Sequence, residues 1–308
     1  MPMAYLHHPE CLLHDMGKGH PERASRINAI EDQLQMSHLM DLVRYYKAPL
    51  ATRTQLAQVH DTKYIDTILN FTKKSEVVYL DPDTVLMSET PQAALRAAGA
   101  VIQAVDLVLT KQHQVAFCNI RPPGHHALHH QAMGFCFFNN VAAGAAHAIT
   151  KYGLNRVAIV DFDVHHGNGT EAIFTQEPRV MLCSTFQHPF YPYCGADTVS
   201  DHIINVPLAA GSGSDKFREA VLMHWIPNLH KFAPQLIFIS AGFDAHADDD
   251  MSHLRLREND YAWVTREILV IADKYANGRV VSTLEGGYEL QSLGRSVVAH
   301  LKVLMRMD

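Results

Sequence analysis

Apolar positions along this chain fall into two alternating patterns. Short unbroken runs at 114–119, 180–185, 203–206, 236–241 and 280–284, and another beginning at Val157, have the length of fully buried strands. Between them, the alanine-rich stretch 91–111, the segment that ends at Lys151, and 215–231, 259–275 and 291–305 repeat their apolar residues with a helical period. Residues 54–70 place Leu56, Val59, Ile65 and Leu69 at helical spacing, and Gly19 to Arg26 reads as a turn into a helix with Pro21 and Glu22 suited to its first turn. Strand, helix, strand, helix predicts an α/β fold whose open parallel sheet carries helices on both faces. No linker, repeat or low-complexity tract divides the chain, so residues 1–308 are expected to form a single domain.

Ligand sites in such sheets lie beyond the carboxyl ends of the strands, and polar residues collect there in this sequence. After 114–119 come two prolines, Gly124 and the pair His125-His126. The run from Val157 breaks into Asp161, Asp163, His165, His166 and two glycines. Extended residues alternate faces, so Asp161, Asp163 and His165 share one side while Phe162, Val164 and His166 take the other, the packing side. Gly242-Phe243-Asp244 follows 236–241, and Glu285-Gly286-Gly287-Tyr288 follows 280–284. An acidic turn, Leu-Asp-Pro-Asp, ends at Asp83 and is a candidate rim of a pocket.

Composition narrows the class. A hydrophobic fraction of 47% with 19% charged residues is that of a soluble enzyme, and a net charge of −6 without any basic run argues against direct nucleic-acid binding. The five cysteines show no Cys-x-x-Cys pair, which disfavours a thiolate metal site and a disulfide framework. No signal-like N-terminus and no run of 18 apolar residues is present, so no membrane span is expected and the default location is cytoplasmic, with export by a non-Sec route left open. The outlying number is 21 histidines, several of them in tandem.

Asp163, His165 and Asp244 offer two carboxylates and an imidazole, three ligands that leave a fourth position on a catalytic zinc open to water. Zinc polarises a carbonyl and lowers the pKa of bound water to about 7, which permits amide hydrolysis at neutral pH. The histidine pair supplies a base, Asp161 orients one of its members, and the Tyr288 hydroxyl is placed to donate to a developing oxyanion.

Five segments, Arg-Pro-Pro-Gly-His-His (121–126), Gly-Phe-Cys-Phe-Phe-Asn-Asn (134–140), Asp-Phe-Asp-Val-His-His-Gly-Asn-Gly (161–169), Ser-Ala-Gly-Phe-Asp (240–244) and Leu-Glu-Gly-Gly-Tyr (284–288), together resemble the histone deacetylase family in its bacterial, class II-like branch. The resemblance implies an arginase-like fold, a catalytic zinc on Asp163, His165 and Asp244, His126 as the proton shuttle, and His125 backed by Asp161 as the residue that orients water and stabilises charge. Tyr288 matches the family's carbonyl-polarising tyrosine. Phe135 and Tyr191 match two aromatic walls of an acyl-lysine tunnel, Gly134 the backbone that receives the substrate amide, and Arg23 a basic residue near the acetate pocket. Asp161, Asp163, His165, Ser184 and Thr185 are similar to the family's potassium site.

Two positions set this chain apart. Asn168 stands where class I members carry an aspartate behind the second histidine and class II members usually carry asparagine, and the neutral partner predicts a less readily protonated His126 than in the aspartate-bearing branch. Tyr191 replaces the usual phenylalanine. The resemblance places Met251 at the gatekeeper position, where relatives that cleave acetylated polyamines have an acidic residue; a neutral residue there implies acetylated lysine in a protein or peptide as substrate. The neighbouring Asp248, Asp249 and Asp250 keep acetylpolyamine as the alternative, and a non-catalytic acyl-lysine scaffold is the rival of a different class. Oligomeric state is not legible.

Overall fold

The computed structural model describes residues 2–71 and 77–307. Its strands are β1 (Met3–His7), β2 (Val43–Lys47), β3 (Val78–Tyr79), β4 (Val85–Leu86), β5 (Val115–Cys118), β6 (Val157–Asp161), β7 (Val180–Gln187), β8 (Ile203–Leu208), β9 (Leu236–Ala241) and β10 (Val280–Leu284). The α-helices are α1 (Ser25–Met36), α2 (Arg53–Leu56), α3 (Thr62–Leu69), α4 (Thr90–Leu109), α5 (Asn140–Tyr152), α6 (Asn168–Phe174), α7 (Ser214–Ala220), α8 (Ile226–Phe232), α9 (Glu258–Tyr275) and α10 (Leu290–Leu304). Eight strands form one parallel sheet in the order β2-β1-β5-β10-β9-β6-β7-β8, and β3 and β4 make a separate antiparallel pair.

The period of two along each strand divides the core into two layers. Val157, Ile159, Leu236 and Phe238 pack with α4 and α5, while Ala158, Val160, Ile237 and Ile239 pack with α1, α9 and α10. Helix α4 is long and apolar enough to cross a membrane by length and composition, yet 67% of that window is buried inside the fold. It is the inner helix of the first layer, and its alanines let α5 pack closely beside it.

Local departures from the sequence expectations have physical causes. Strands β1 and β2 are additional: β2 is an edge strand whose residues are half-buried or exposed, so it shows no apolar run. Residues 54–70 are two helices, because the Asp61 side chain caps a new start by accepting from the backbone N–H of Lys63 (2.8 Å) and Tyr64 (3.2 Å). The expected helix at 215–231 is α7 and α8 joined by a π-helical turn over Val221–Trp225. Helix α1 begins at Ser25, which leaves Pro21 and Glu22 in the preceding turn.

Candidate active site

The four strands that carry the polar ends, β5, β10, β9 and β6, are consecutive in the sheet, so their loops converge. From the β6 and β9 loops, Asp163, His165 and Asp244 bring one ligand atom each within 4.8 Å of one another, all buried. His165 Nδ1 lies 3.2 Å from Asp163 Oδ1 and 3.1 Å from Asp244 Oδ2. The remaining carboxylate oxygens are held by backbone donors, Gly286 N–H to Asp163 Oδ2 at 2.8 Å and Val164 N–H to Asp244 Oδ1 at 3.0 Å. A Cβ at Gly286 would stand 2.1 Å from Asp244 Oδ2 and 2.6 Å from Asp163 Oδ2, so the approach of β10 to both carboxylates requires glycine.

Two buried carboxylates this close need positive charge. Burial would lower the His165 pKa, but Asp163 and Asp244 outweigh it and push it up to about 9. Burial and the Asp163 charge together raise Asp244 to about 7. A divalent cation fits this donor set, and zinc accepts both its nitrogen and its oxygen ligands.

Beside the triad, His125 Nδ1 lies 2.9 Å from Asp161 Oδ2, and Asp161 Oδ1 accepts from the Asp163 backbone N–H at 3.0 Å. Burial disfavours the His125 cation, yet Asp161 and Asp163 override it and raise its pKa to about 10. Glu285, the last residue before the two glycines, is buried and accepts from the backbone N–H of Gly124 (2.7 Å) and His125 (3.2 Å), which ties the histidine loop to β10. His126 Nδ1 faces Asn168 Oδ1 at 2.8 Å. Its pKa lies well below the ordinary histidine value because burial and the neighbouring His125 and His165 oppose its cation. The two histidines, 4.1 Å apart between ring centres, are thus set to opposite charge states. His166 is turned away from the triad and bonds Glu171 at 2.5 Å and Ser184 at 3.3 Å. Ser184 pairs with Asp161 across β6 and β7, and Thr185 follows it, both buried.

A cavity of about 190 Å³ opens onto this cluster, lined by Asp83, Pro123, His125, His126, Gly134, Phe135, His165, Phe190, Tyr191, Met251, Gly286 and Tyr288. Its walls are set by a tight turn in which Gly134 and Phe135 both have positive φ, 56° and 69°, between Met133 and Cys136. Phenylalanine rarely adopts that conformation, and the turn is pinned by Gly134 N–H to Asp81 Oδ2 and Phe135 N–H to Thr84 Oγ1, each at 3.0 Å. Opposite, Phe190 stacks on the His165 ring at 5.6 Å, and Tyr191 meets His126 edge-on at 5.2 Å.

Tyr288 is anchored through its backbone. Its backbone N–H donates to Asp249 Oδ2 at 2.6 Å and its side chain is mostly buried, which raises its pKa well above the ordinary phenol value and keeps the hydroxyl protonated. The arginine beside it is Arg26, whose guanidinium carbon is 4.8 Å from the ring centre. Arg23 is a correction to the sequence reading: it is exposed on the turn before α1 and borders an open groove with Asp248, Asp250 and Glu289. One turn later the helix carries Arg26 inward, where it joins Glu22 and Arg121 in a fully buried ion network. Sequence reasoning missed Arg26, Glu22, Phe190, Asp249 and the role of Glu285. The one available signal was the Arg-Pro-Pro segment, whose Arg121 reaches Glu22 with two hydrogen bonds of 2.7 and 2.6 Å.

A parallel sheet with buried acid, imidazole and phenol groups at the carboxyl ends of adjacent strands defines a hydrolase-type site. The histone deacetylase domain family matches residues 20–304, and the chain belongs to that family. It is 35% identical to the histone deacetylase-like amidohydrolase of Pseudomonas aeruginosa, over 88% of this chain and 73% of that protein. It is 34% identical to the mouse (Mus musculus) polyamine deacetylase HDAC10, over 96% of this chain and 45% of that protein. The solved HDA15 HD domain superposes with a TM-score of 0.94 at 32% identity, covering all of this chain and 90% of that one.

Proposed function

We propose that this chain is a zinc-dependent deacetylase that removes acetyl groups from ε-N-acetyl-lysine in proteins or peptides. The observation that carries the reading is the cavity itself, whose lining joins the apolar Phe135, Phe190 and Met251 to His126, Tyr288 and the triad's His165. Zinc, when held by Asp163, His165 and Asp244, supplies Lewis acidity to the carbonyl and to water. His126, kept neutral at working pH, takes the water's proton at Nε2 and returns it to the leaving amine. Tyr288 donates its hydroxyl hydrogen to the oxyanion, and the His125 cation offsets the developing negative charge.

The acetylpolyamine reading draws on the acidic stretch beside Met251 and on the polyamine deacetylase relative. Most of that acidity is committed elsewhere. Asp248 is paired with Arg257 at 2.9 Å and Arg295 at 3.3 Å, and Asp249 accepts from the backbone N–H of Met251, Tyr288 and Glu289. Of that stretch it is the neutral Met251 that lines the cavity, and the carboxylate among the lining residues is Asp83, from a different turn. On zinc-loaded protein, kcat/KM for an acetyl-lysine peptide should exceed that for acetylspermidine; the reverse ratio would establish the polyamine reading, and no turnover of either would establish a non-catalytic binder.

A further inference from the structure

We propose that Met133 is a positioning residue that decides which ring nitrogen of His126 carries the proton, an inference that rests on reading His126 as the proton carrier. Asn168 faces His126 Nδ1 through Oδ1 at 2.8 Å, and the Nδ2 of the same amide lies 3.3 Å from Met133 Sδ. An amide has one accepting end and one donating end, so an asparagine beside an imidazole permits two arrangements. In one, Nδ1–H donates to Oδ1 and Nε2 keeps its lone pair. In the other the amide is turned over, Nδ2–H donates to a bare Nδ1, and the ring proton sits on Nε2. Only the first leaves Nε2 free to take a proton from water.

An aspartate at position 168 would settle the choice alone, since both of its oxygens accept. Asparagine needs a third group, and the thioether of Met133 is that group. Sulfur accepts weakly and has no proton to give, so Nδ2–H is favoured against it, whereas Oδ1 in the same place would set two electron-rich atoms against each other. The point from which the sulfur reaches Asn168 is fixed, because the Met133 backbone is bonded both ways to Cys136, N–H to O at 3.2 Å and O to N–H at 3.0 Å, around the Gly134-Phe135 turn. The turn that builds the tunnel wall therefore also sets the histidine tautomer, and the departure at Asn168 is matched by a side chain on another loop.

Met133→Leu keeps the bulk and removes the sulfur. In metal-free protein, nitrogen-15 chemical shifts of the His126 ring read the tautomer directly: the wild type should show the Nδ1–H form, and Met133→Leu should move the tautomer ratio about fivefold toward Nε2–H, the worth of one weak hydrogen bond. In zinc-loaded enzyme the variant should lose about two- to fivefold in kcat with KM little changed. That loss should vanish when Met133→Leu is added to Asn168→Asp, because a carboxylate has no wrong way round. A tautomer ratio unchanged by Met133→Leu, or an equal loss in both backgrounds, would overturn the proposal in favour of simple packing. Should the loaded wild type hydrolyse no amide, the catalytic reading fails, and the tautomer measurement still decides what Met133 does.

Discussion

Arg26 stands beneath the ring of Tyr288 and grips the chain just before it, its Nη2 donating to the carbonyl of Glu285 at 2.5 Å and its Nε to that of Gly287 at 2.6 Å. A third nitrogen, Nη1, reaches Glu22 at 3.2 Å. One planar group thus orients the phenol and neutralises a buried carboxylate, a task that matches the fork of arginine and not the point charge of lysine. Arg26→Lys should fold and lose about tenfold or more in kcat with KM within about twofold, since the loss falls on an oriented hydroxyl. Arg26→Met leaves Glu22 with less compensation and two buried carbonyls unpaired, and should cost about 3–5 kcal/mol in urea unfolding.

The positive φ of Phe135 makes a second expectation separable into wall and backbone. Phe135→Ala and Phe135→Gly both remove the aromatic wall and should raise KM for an acetyl-lysine peptide alike. They should differ in stability, because glycine accepts a φ of 69° freely and alanine does not. Chemical unfolding should find the glycine variant more stable than the alanine variant by about 1 kcal/mol. Equal stabilities would mean that the turn is not strained.

Much of this site is legible in the amino-acid order because its chemistry follows unbroken apolar runs. Asp163, His165, Asp244, the histidine pair and Tyr288 each lie just past a run that must be a buried strand, so their convergence follows from parallel pairing. The order of those strands is not legible, since β5 and β10 pair side by side and the loops that follow them, 161 residues apart at Gly124 and Glu285, are hydrogen-bonded to each other. Arg26 is hidden for a different reason. An arginine in a first helical turn reads as solvated until the helix start is known to one residue, and the start at Ser25 rather than Pro21 is what turns Arg26 inward and Arg23 out. Glu22, Asp249 and Glu285 are likewise ordinary acidic residues in sequence, and only burial reveals that they hold loops together.

Two buried histidines outside the catalytic set contribute to the acid sensitivity of the fold. His300 sits between Thr265 Oγ1 at 2.6 Å and Ser282 Oγ at 2.8 Å, and burial lowers its pKa to about 3. His60 accepts the Asn139 N–H at Nε2 and faces the Leu128 carbonyl through Nδ1, each at 2.9 Å, and burial lowers it to about 4. Both are neutral when folded and take up a proton near pH 6.5 when unfolded, so the unfolded state binds more protons below that value. Their contribution is complete above about pH 6.5 and falls by about 1.4 kcal/mol per pH unit for each histidine as the pH drops toward 4. Asp244 works in the opposite sense over the same range, so the readout is the difference between proteins: His300→Gln should lower stability at pH 7 and lose less than the wild type, by about 1.4 kcal/mol per pH unit, between pH 7 and pH 5. A slope unchanged by His300→Gln would show that this residue is not held neutral.

The triad predicts a stability order that reverses with metal. Asp163 and Asp244 are both buried with their inner oxygens against His165, and burial together with Asp163 raises Asp244 to about 7. A carboxyl whose pKa is raised by folding destabilises the fold once it ionises, so its cost is greatest above about pH 7 and fades toward pH 4. Asp244→Asn removes that charge with little change in shape. In chelator-treated protein at pH 8 the variant should be more stable than wild type by about 1–3 kcal/mol, with a smaller gain at pH 5. Added zinc should invert the order, because the wild type gains about 4 kcal/mol at a thousandfold excess over its dissociation constant and a variant short of one ligand gains far less. Thermal unfolding of both proteins with and without zinc measures the crossing directly. A wild type that zinc leaves unshifted would mean that Asp163, His165 and Asp244 are a buried ion cluster and hold no metal.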